Sequence, residues 1–313
     1  MTIRQLSGAQ VRHHLPMTDA IVAVRQAFVG LAADEFDMPL RTALGDGAFL
    51  IMTARHRPTA SIAVKSLTID FNRRPAIQGV VTWAATTGSE LLVVDAAEVT
   101  TLRTGAVVGV ATDLLCRDDA STLVLIGLGE LAPDQLRAVR AVRPIRNVIL
   151  VATDLARAEA FRSRHAVELA DLEVTVTTDA DTAVSAADVI CCATPVREPL
   201  FQTDALPARV HVNAVGSYRP SMRELPDGLL ATATVVVDLR AAALAEAGEI
   251  RHAVASAALD ETALIELGPA LDGQLDLGPR TVFKSVGLAI QDWAIVHSLA
   301  SRTADVGTLE SLT

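Results

Sequence analysis

Lysine is almost absent from this chain of 313 residues. Of its 27 basic residues only Lys65 and Lys284 are lysines, and the rest are arginines. Where arginine fills nearly every basic role, a retained lysine points to a task that needs a compact, titratable ammonium. Aromatic residues make up 3% and include a single tyrosine, while 37 acidic residues leave a formal net charge of −10. Such a chain lacks both the basic stripe and the stacking platforms of nucleic-acid binders, so no nucleic-acid partner is expected. The three cysteines, Cys116, Cys191 and Cys192, are odd in number, two are adjacent, and none has metal-ligand spacing. They read as reduced thiols of a cytoplasmic protein. The start MTIRQLSGAQ lacks a secretory h-region, and no apolar run reaches the roughly 18 residues of a membrane span. No membrane partner is expected. Also missing are the Gly-Lys pair of a phosphate loop, a G-x-S-x-G elbow and an H-E-x-x-H pair. The seven histidines are scattered apart from the pair His13–His14, and their spacing does not suit one helical face, so no metal site is expected.

What is present is ample core material, since half the residues are apolar. Residues 1–118 mix periods. Met17–Leu31 carries Ile21, Val24, Phe28 and Leu31 at helical steps, with Thr18 as the expected N-cap. Strand-like pieces follow at Phe49–Thr53, Ser61–Ile69, Gln78–Trp83 and Leu91–Asp95. They are separated by turn signals at Gly45-Asp46-Gly47, Asn72–Pro75 and Thr87-Gly88-Ser89. This predicts an antiparallel sheet beside a helix. A helical segment, Glu98–Leu115, then presents a face of small residues. From Thr122 the character changes. Short apolar runs at Thr122–Ile126, Val148–Ala152, Val174–Val176, Val189–Ala193, Val210–Val215 and Val235–Leu239 alternate with helical patterns such as Pro133–Val142 and Leu155–Ala166. That alternation predicts a doubly wound parallel sheet. Thr281–Leu299 reads as one strongly apolar helix.

The run Thr122–Ile126 leads directly into Gly127-Leu128-Gly129-Glu130-Leu131-Ala132. This is a G-x-G-x-x-A turn between strand and helix. Gly127 permits the tight turn, Gly129 lets backbone approach a pyrophosphate at a helix N-terminus, and Ala132 allows close helix–strand packing. A nicotinamide dinucleotide is the expected ligand. Glu130 places a carboxylate near the pyrophosphate position. Asp154, after the second strand, is the candidate for the ribose hydroxyls of NAD, and Arg157 for the 2′-phosphate of NADP. The choice between them stays open.

Together these segments resemble the ornithine cyclodeaminase/mu-crystallin family from about residue 15 onward. The resemblance rests on Pro39-Leu40-Arg41, Ala63-Val64-Lys65, Leu102-Arg103-Thr104-Gly105-Ala106, the glycine turn, Asn213-Ala214-Val215-Gly216 and Val282-Phe283-Lys284-Ser285-Val286-Gly287. It implies a Rossmann-type parallel sheet (119–284) inserted in an α+β substrate-binding and dimerisation domain (1–118 with 285–313), and a homodimer. By position, Arg41, Lys65 and Arg103 would surround a substrate carboxylate, with Lys65 also catalytic. Arg103, Thr104, Gly127, Gly129, Ala132, Asp154, Thr194, Val215, Gly216, Ser217, Ser285 and Val286 would contact the cofactor. An inward Lys65 between two arginines is expected to have a lowered pKa.

Departures from the family pattern direct the choice of activity. Tyr218 stands where cyclodeaminases carry a catalytic Asp. Reducing an imine needs less proton handling than releasing ammonia, so the sequence favours an NAD(P)H-dependent reductase of a small α-imino acid, such as pyrroline-2-carboxylate or piperideine-2-carboxylate. Tyr218 would donate a proton or line the pocket. The alternatives are an amino-acid cyclodeaminase or dehydrogenase, and a non-catalytic mu-crystallin-like binding protein. Val80, Leu131 and Thr153 replace a frequent Thr, Gln and Arg respectively, which removes three polar contacts to a cofactor. Substrate size would depend on Met52, Leu67 and Trp83.

Overall fold

The computed structural model describes residues 2–87 and 90–303. Gly88 and Ser89 of the expected third turn lie outside them. The chain divides into two compact units, Met1–Val107 with Leu288–Thr313, and Val108–Gly287. The sequence reading put these boundaries at 118/119 and 284/285.

The first unit runs β1 (Thr2–Leu6), α1 (Gly8–His14), α2 (Met17–Ala32), β2 (Phe36–Asp37), β3 (Thr42–Leu44), β4 (Phe49–His56), β5 (Ser61–Ile69), β6 (Ile77–Ala85), β7 (Glu90–Asp95) and α3 (Ala96–Leu115), within which the boundary falls. Its sheet order is β1-β7-β6-β5-β4-β2, with β3 also on β4. All pairings are antiparallel except β1, which joins β7 in parallel. The sheet is therefore mixed, and its parallel edge strand was not foreseen. Helix α2 begins at Met17 with Pro16, not Thr18, in the capping position. Proline's fixed φ and extended ψ at residue 16 set the entry, which leaves Thr18 inside the first turn.

Side chains alternate across the sheet. One row reads Leu6, Val94, Val81, Lys65, Met52 across five strands, and all five are buried. Lys65 is the one charged member of that row. The opposite face leaves Leu44, Phe49, Ile51 and Val80 exposed.

The second unit contains β8 (Thr122–Ile126), α4 (Ala132–Val142), β9 (Asn147–Val151), α5 (Leu155–Arg164), β10 (Glu173–Thr177), α6 (Ala180–Ser185), β11 (Val189–Cys192), β12 (Val210–Ala214), α7 (Asp227–Leu230), β13 (Thr234–Val237), α8 (Arg240–Glu246), α9 (Gly248–Ala255), β14 (Ile265–Glu266), α10 (Leu267–Asp272) and β15 (Arg280–Lys284). Eight strands in the order β10-β9-β8-β11-β12-β15-β13-β14 form a wholly parallel sheet. This is the expected Rossmann-type arrangement. Strand order reverses between β8 and β11, which opens a crevice at their carboxyl ends.

The last segment corrects the sequence reading. Thr281–Leu299 is not one helix. Arg280–Lys284 forms β15 between β12 and β13, and α11 (Ala289–Arg302) returns to the first unit. Gly287, at φ +87, sits in the turn between them. Residues buried on every side carry no periodicity that separates strand from helix. Among the described residues no single helix is long and apolar enough to cross a membrane.

Candidate active site

In the first unit β5 carries Lys65 inward and α11 meets it. Lys65 Nζ donates to Asp292 Oδ1 at 2.8 Å, and each side chain is 1% exposed. The preceding residue of α11, Gln291, accepts from Arg103 Nη1 at 2.8 Å, and Arg103 Nε lies 3.7 Å from the same Asp292 oxygen. The next residue, Trp293, donates its Nε1 to Ser61 Oγ at 2.9 Å, anchoring α11 to β5. Burial pushes the Lys65 ammonium down, Asp292 raises it, and Arg103 and Arg41 lower it further; the balance is about 8. Arg41 and Arg103 are thus both within electrostatic reach of Lys65. Thr104 sits beside them, but its hydroxyl donates to Thr100 O within α3 at 2.6 Å. Met52 and Leu67 are buried on the Lys65 face. Val80 lies on the other face, 43% exposed.

The second unit carries the glycine turn. Gly127 adopts φ +95, and a Cβ there would lie 2.6 Å from Ala193 O. A Cβ on Gly129 would meet nothing within 4 Å. The first glycine is required by the fold, and the second leaves an open backbone approach. Helix α4 starts at the buried Ala132 with no side-chain cap; Ala132 N donates back to Gly129 O at 3.3 Å, which closes the turn onto the helix, and Pro133 in the first turn has no N–H to satisfy. These residues fit a dinucleotide pyrophosphate. Asp154 caps α5, accepting from Arg157 N at 2.8 Å.

Beyond β11 and β12 the loops are tied by a carboxylate absent from the sequence reading. Glu224 is fully buried. Its Oε1 accepts from Thr194 N and Oγ1 at 2.7 and 2.9 Å, and its Oε2 from Gly216 N and Ser217 N at 2.8 and 3.1 Å. A Cβ on Gly216 would collide with the Thr194 backbone. Burial pushes the Glu224 carboxyl above its ordinary range, with Lys284 opposing. Lys284 donates to Ser217 O and Oγ at 2.6 and 2.7 Å and pairs with Glu249 at 3.1 Å, and Ser217 Oγ also donates to Glu249. Asp238 accepts from Ser285 Oγ, Val286 N and Gly287 N at 2.8, 2.9 and 3.0 Å.

These contacts revise two expectations. Ser217 is fully buried, and its N–H, carbonyl and hydroxyl are all engaged, so it fixes the loop rather than lining a pocket. The Ser285 hydroxyl and the Val286 N–H are committed to Asp238, which removes both as donors to a ligand. Val215 is 9% exposed and donates its N–H to Cys192 O. Tyr218 is half-buried, with the Arg219 guanidinium 5.0 Å from its ring centre. Burial raises all three thiols above their usual range, so none is a reactive thiolate.

Asp292, Glu224, Glu249 and Asp238 were missed because none sits in a local motif. One signal existed for Asp292: it interrupts the apolar pattern Ala289–Leu299, where an inward acid needs a partner.

The second unit defines the class, a Rossmann-type α/β protein with a glycine turn at the switch in strand order. The chain belongs to the ornithine cyclodeaminase/mu-crystallin family, which it matches over residues 4–306. It is 34% identical to a Delta(1)-pyrroline-2-carboxylate reductase of Bacillus cereus, over 98% of both chains. Its structure resembles the Delta(1)-pyrroline-2-carboxylate reductase of Thermococcus litoralis in complex with NADH and L-proline, with a TM-score of 0.91 and 25% identity, covering 99% of this chain and 100% of that one. It also resembles an archaeal alanine dehydrogenase dimer with bound NAD, with a TM-score of 0.89 and 28% identity over 99% of each.

Proposed function

We propose that this protein is an NAD(P)H-dependent reductase of a small cyclic α-imino acid, of the size of pyrroline-2-carboxylate or piperideine-2-carboxylate. The observation that carries the reading is the cationic group of buried Lys65 and Arg103 with half-buried Arg41, in a chain alike along its whole length to pyrroline-2-carboxylate reductases. An α-imino acid must be held by its carboxylate while C2 is reduced. Arginine offers a planar fork for that carboxylate, and Lys65 a point charge.

The bound nicotinamide supplies the hydride to the imine carbon, and the nitrogen ends as an amine carrying one added proton. Gly127, Gly129 and the start of α4 would seat the pyrophosphate. Thr194, Val215 and Gly216 form the strand edges expected at the nicotinamide end. Lys65, with its pKa near 8, holds a proton at neutral pH and either binds the carboxylate or supplies that proton. Tyr218 is the second candidate donor. A cyclic imine that arrives as the iminium needs neither, which fits the lack of a carboxylate at 218.

We place the protein as a homodimer in the cytoplasm. The exposed apolar sheet face with Leu44, Phe49, Ile51 and Val80 supports the first, and three free, buried cysteines support the second. The test is oxidation of NADH and of NADPH with pyrroline-2-carboxylate and piperideine-2-carboxylate between pH 6 and 8 (on the order of neutral imine pKa). Absence of turnover with either cofactor overturns the substrate assignment. Ammonia release from ornithine or lysine would instead establish a cyclodeaminase, and cofactor binding without turnover a binding protein.

A further inference from the structure

We infer that Asp292 is a positioning residue which keeps Lys65 cationic inside its apolar row, and so makes Lys65 able to hold the substrate carboxylate. The inference rests on the function proposed above and names the residue on which its anion-binding group depends.

Lys65 occupies a place built for an aliphatic side chain. Its row neighbours are Met52 and Val81, and the row continues through Val94 to Leu6. An ammonium in such surroundings loses its proton unless a counter-charge holds it. The charged groups near Lys65 are Asp292 from α11, Arg103 from α3 and Arg41 from the segment before β3. Both arginines work against the ammonium, and Asp292 alone among these works for it. The contact is direct, at 2.8 Å. It is also one-sided: Asp292 Oδ2 is buried and has no hydrogen-bond partner among the described residues. A purely architectural carboxylate at this depth would have both oxygens satisfied, as those of Glu224 are. Gln291 extends the arrangement. As the neighbour of Asp292 it holds Arg103, so two consecutive residues of α11 carry two of the three cations.

Without Asp292 the two arginines and burial act on Lys65 unopposed. The lysine then turns neutral at physiological pH, and the substrate carboxylate meets a dipole in place of a charge.

The scarcity of lysine makes a direct test possible. Protein labelled with 13C at the lysine ε-carbon gives two side-chain signals, and loss of one in Lys65→Met assigns the other to Lys284. In the wild type the Lys65 signal titrates with a midpoint near 8. In Asp292→Asn the midpoint falls by about one pH unit or more. The fall of kcat/KM for pyrroline-2-carboxylate at high pH moves down with it, so that at pH 8 the variant stands about tenfold below its own low-pH plateau, against about twofold for the wild type. Asp292→Glu keeps the charge and restores both midpoint and profile toward wild type. An unchanged Lys65 midpoint in Asp292→Asn overturns the inference. So does a shifted midpoint with an unshifted profile, or a Glu variant whose midpoint lies as low as that of Asn. A wild type that titrates as described but turns over no imine overturns the proposed function and leaves the Asp292–Lys65 coupling standing.

Discussion

Lys65 Nζ and Asp292 Oδ1 lie 2.8 Å apart, on a strand and a helix separated by more than two hundred residues of chain. Between them the sequence makes an entire parallel sheet before returning to complete the first unit. The pair predicts how the enzyme tolerates a change that preserves charge. Lys65→Arg brings a planar, larger group into the slot between Met52 and Val81. Arginine cannot be fitted there without moving α11, and it never titrates in the working range. We expect kcat/KM for the imino acid to fall by about 100-fold, with the KM for NAD(P)H nearly unchanged. In the wild type kcat/KM falls above pH 8, because a cation whose pKa is lowered to about 8 is charged only below it. Steady-state kinetics between pH 6 and 10 (roughly spanning both limbs) measure both effects.

The two glycines of the turn separate folding from binding. Gly127→Ala strains a residue at φ +95 and drives a methyl group against Ala193 O. It should lower the melting temperature by several degrees, in line with about 1–3 kcal/mol of backbone strain. Gly129→Ala meets no protein atom. It should leave the melting temperature unchanged and raise the Kd for NADH about tenfold. Equal effects of the two substitutions on stability would refute the distinction.

Glu224→Gln tests the clasp over the β11 and β12 loops. The carboxylate accepts four hydrogen bonds, two on each oxygen. An amide keeps one acceptor and turns its own N–H groups toward two donors. We expect a loss of about 2–4 kcal/mol in urea denaturation and a raised KM for the cofactor. The KM for the imino acid changes less, since Glu224 belongs to the dinucleotide-binding unit.

The exposed sheet face predicts the consequence of a surface charge. Ile51, at 41% exposed, and Val80, at 43%, both lie on it and join through Ser66 across three strands. If the proposed homodimer forms through this face, an Ile51→Glu, Val80→Glu double substitution should yield a monomer by light scattering without unfolding the unit. Desolvating two carboxylates in an apolar interface outweighs the contacts that remain.

Much of this architecture was legible. Six of the eight strands of the parallel sheet announced themselves as short apolar runs, and Thr122–Ile126 matches its expected bounds. What failed were elements whose cause is distant. Thr2–Leu6 is a strand because it pairs with β7, some ninety residues on. Arg280–Lys284 is a strand because the sheet has room for it between β12 and β13, and its own residues suit a buried helix equally. The site divides the same way. Lys65 stood out by rarity, and Arg41 and Arg103 by their motifs. Asp292 and Glu224 did not, because an acid is one of the commonest residues in this chain, and only burial distinguishes the few that matter.

Both lysines are sealed in the interior, at 1% and 0% exposure. Acylating reagents that seek ε-amines therefore find no side-chain target on the native surface. Chemical labelling of lysine becomes a report on unfolding: a modified Lys65 or Lys284 marks a molecule that has opened, and the rate of its appearance clocks how often that happens.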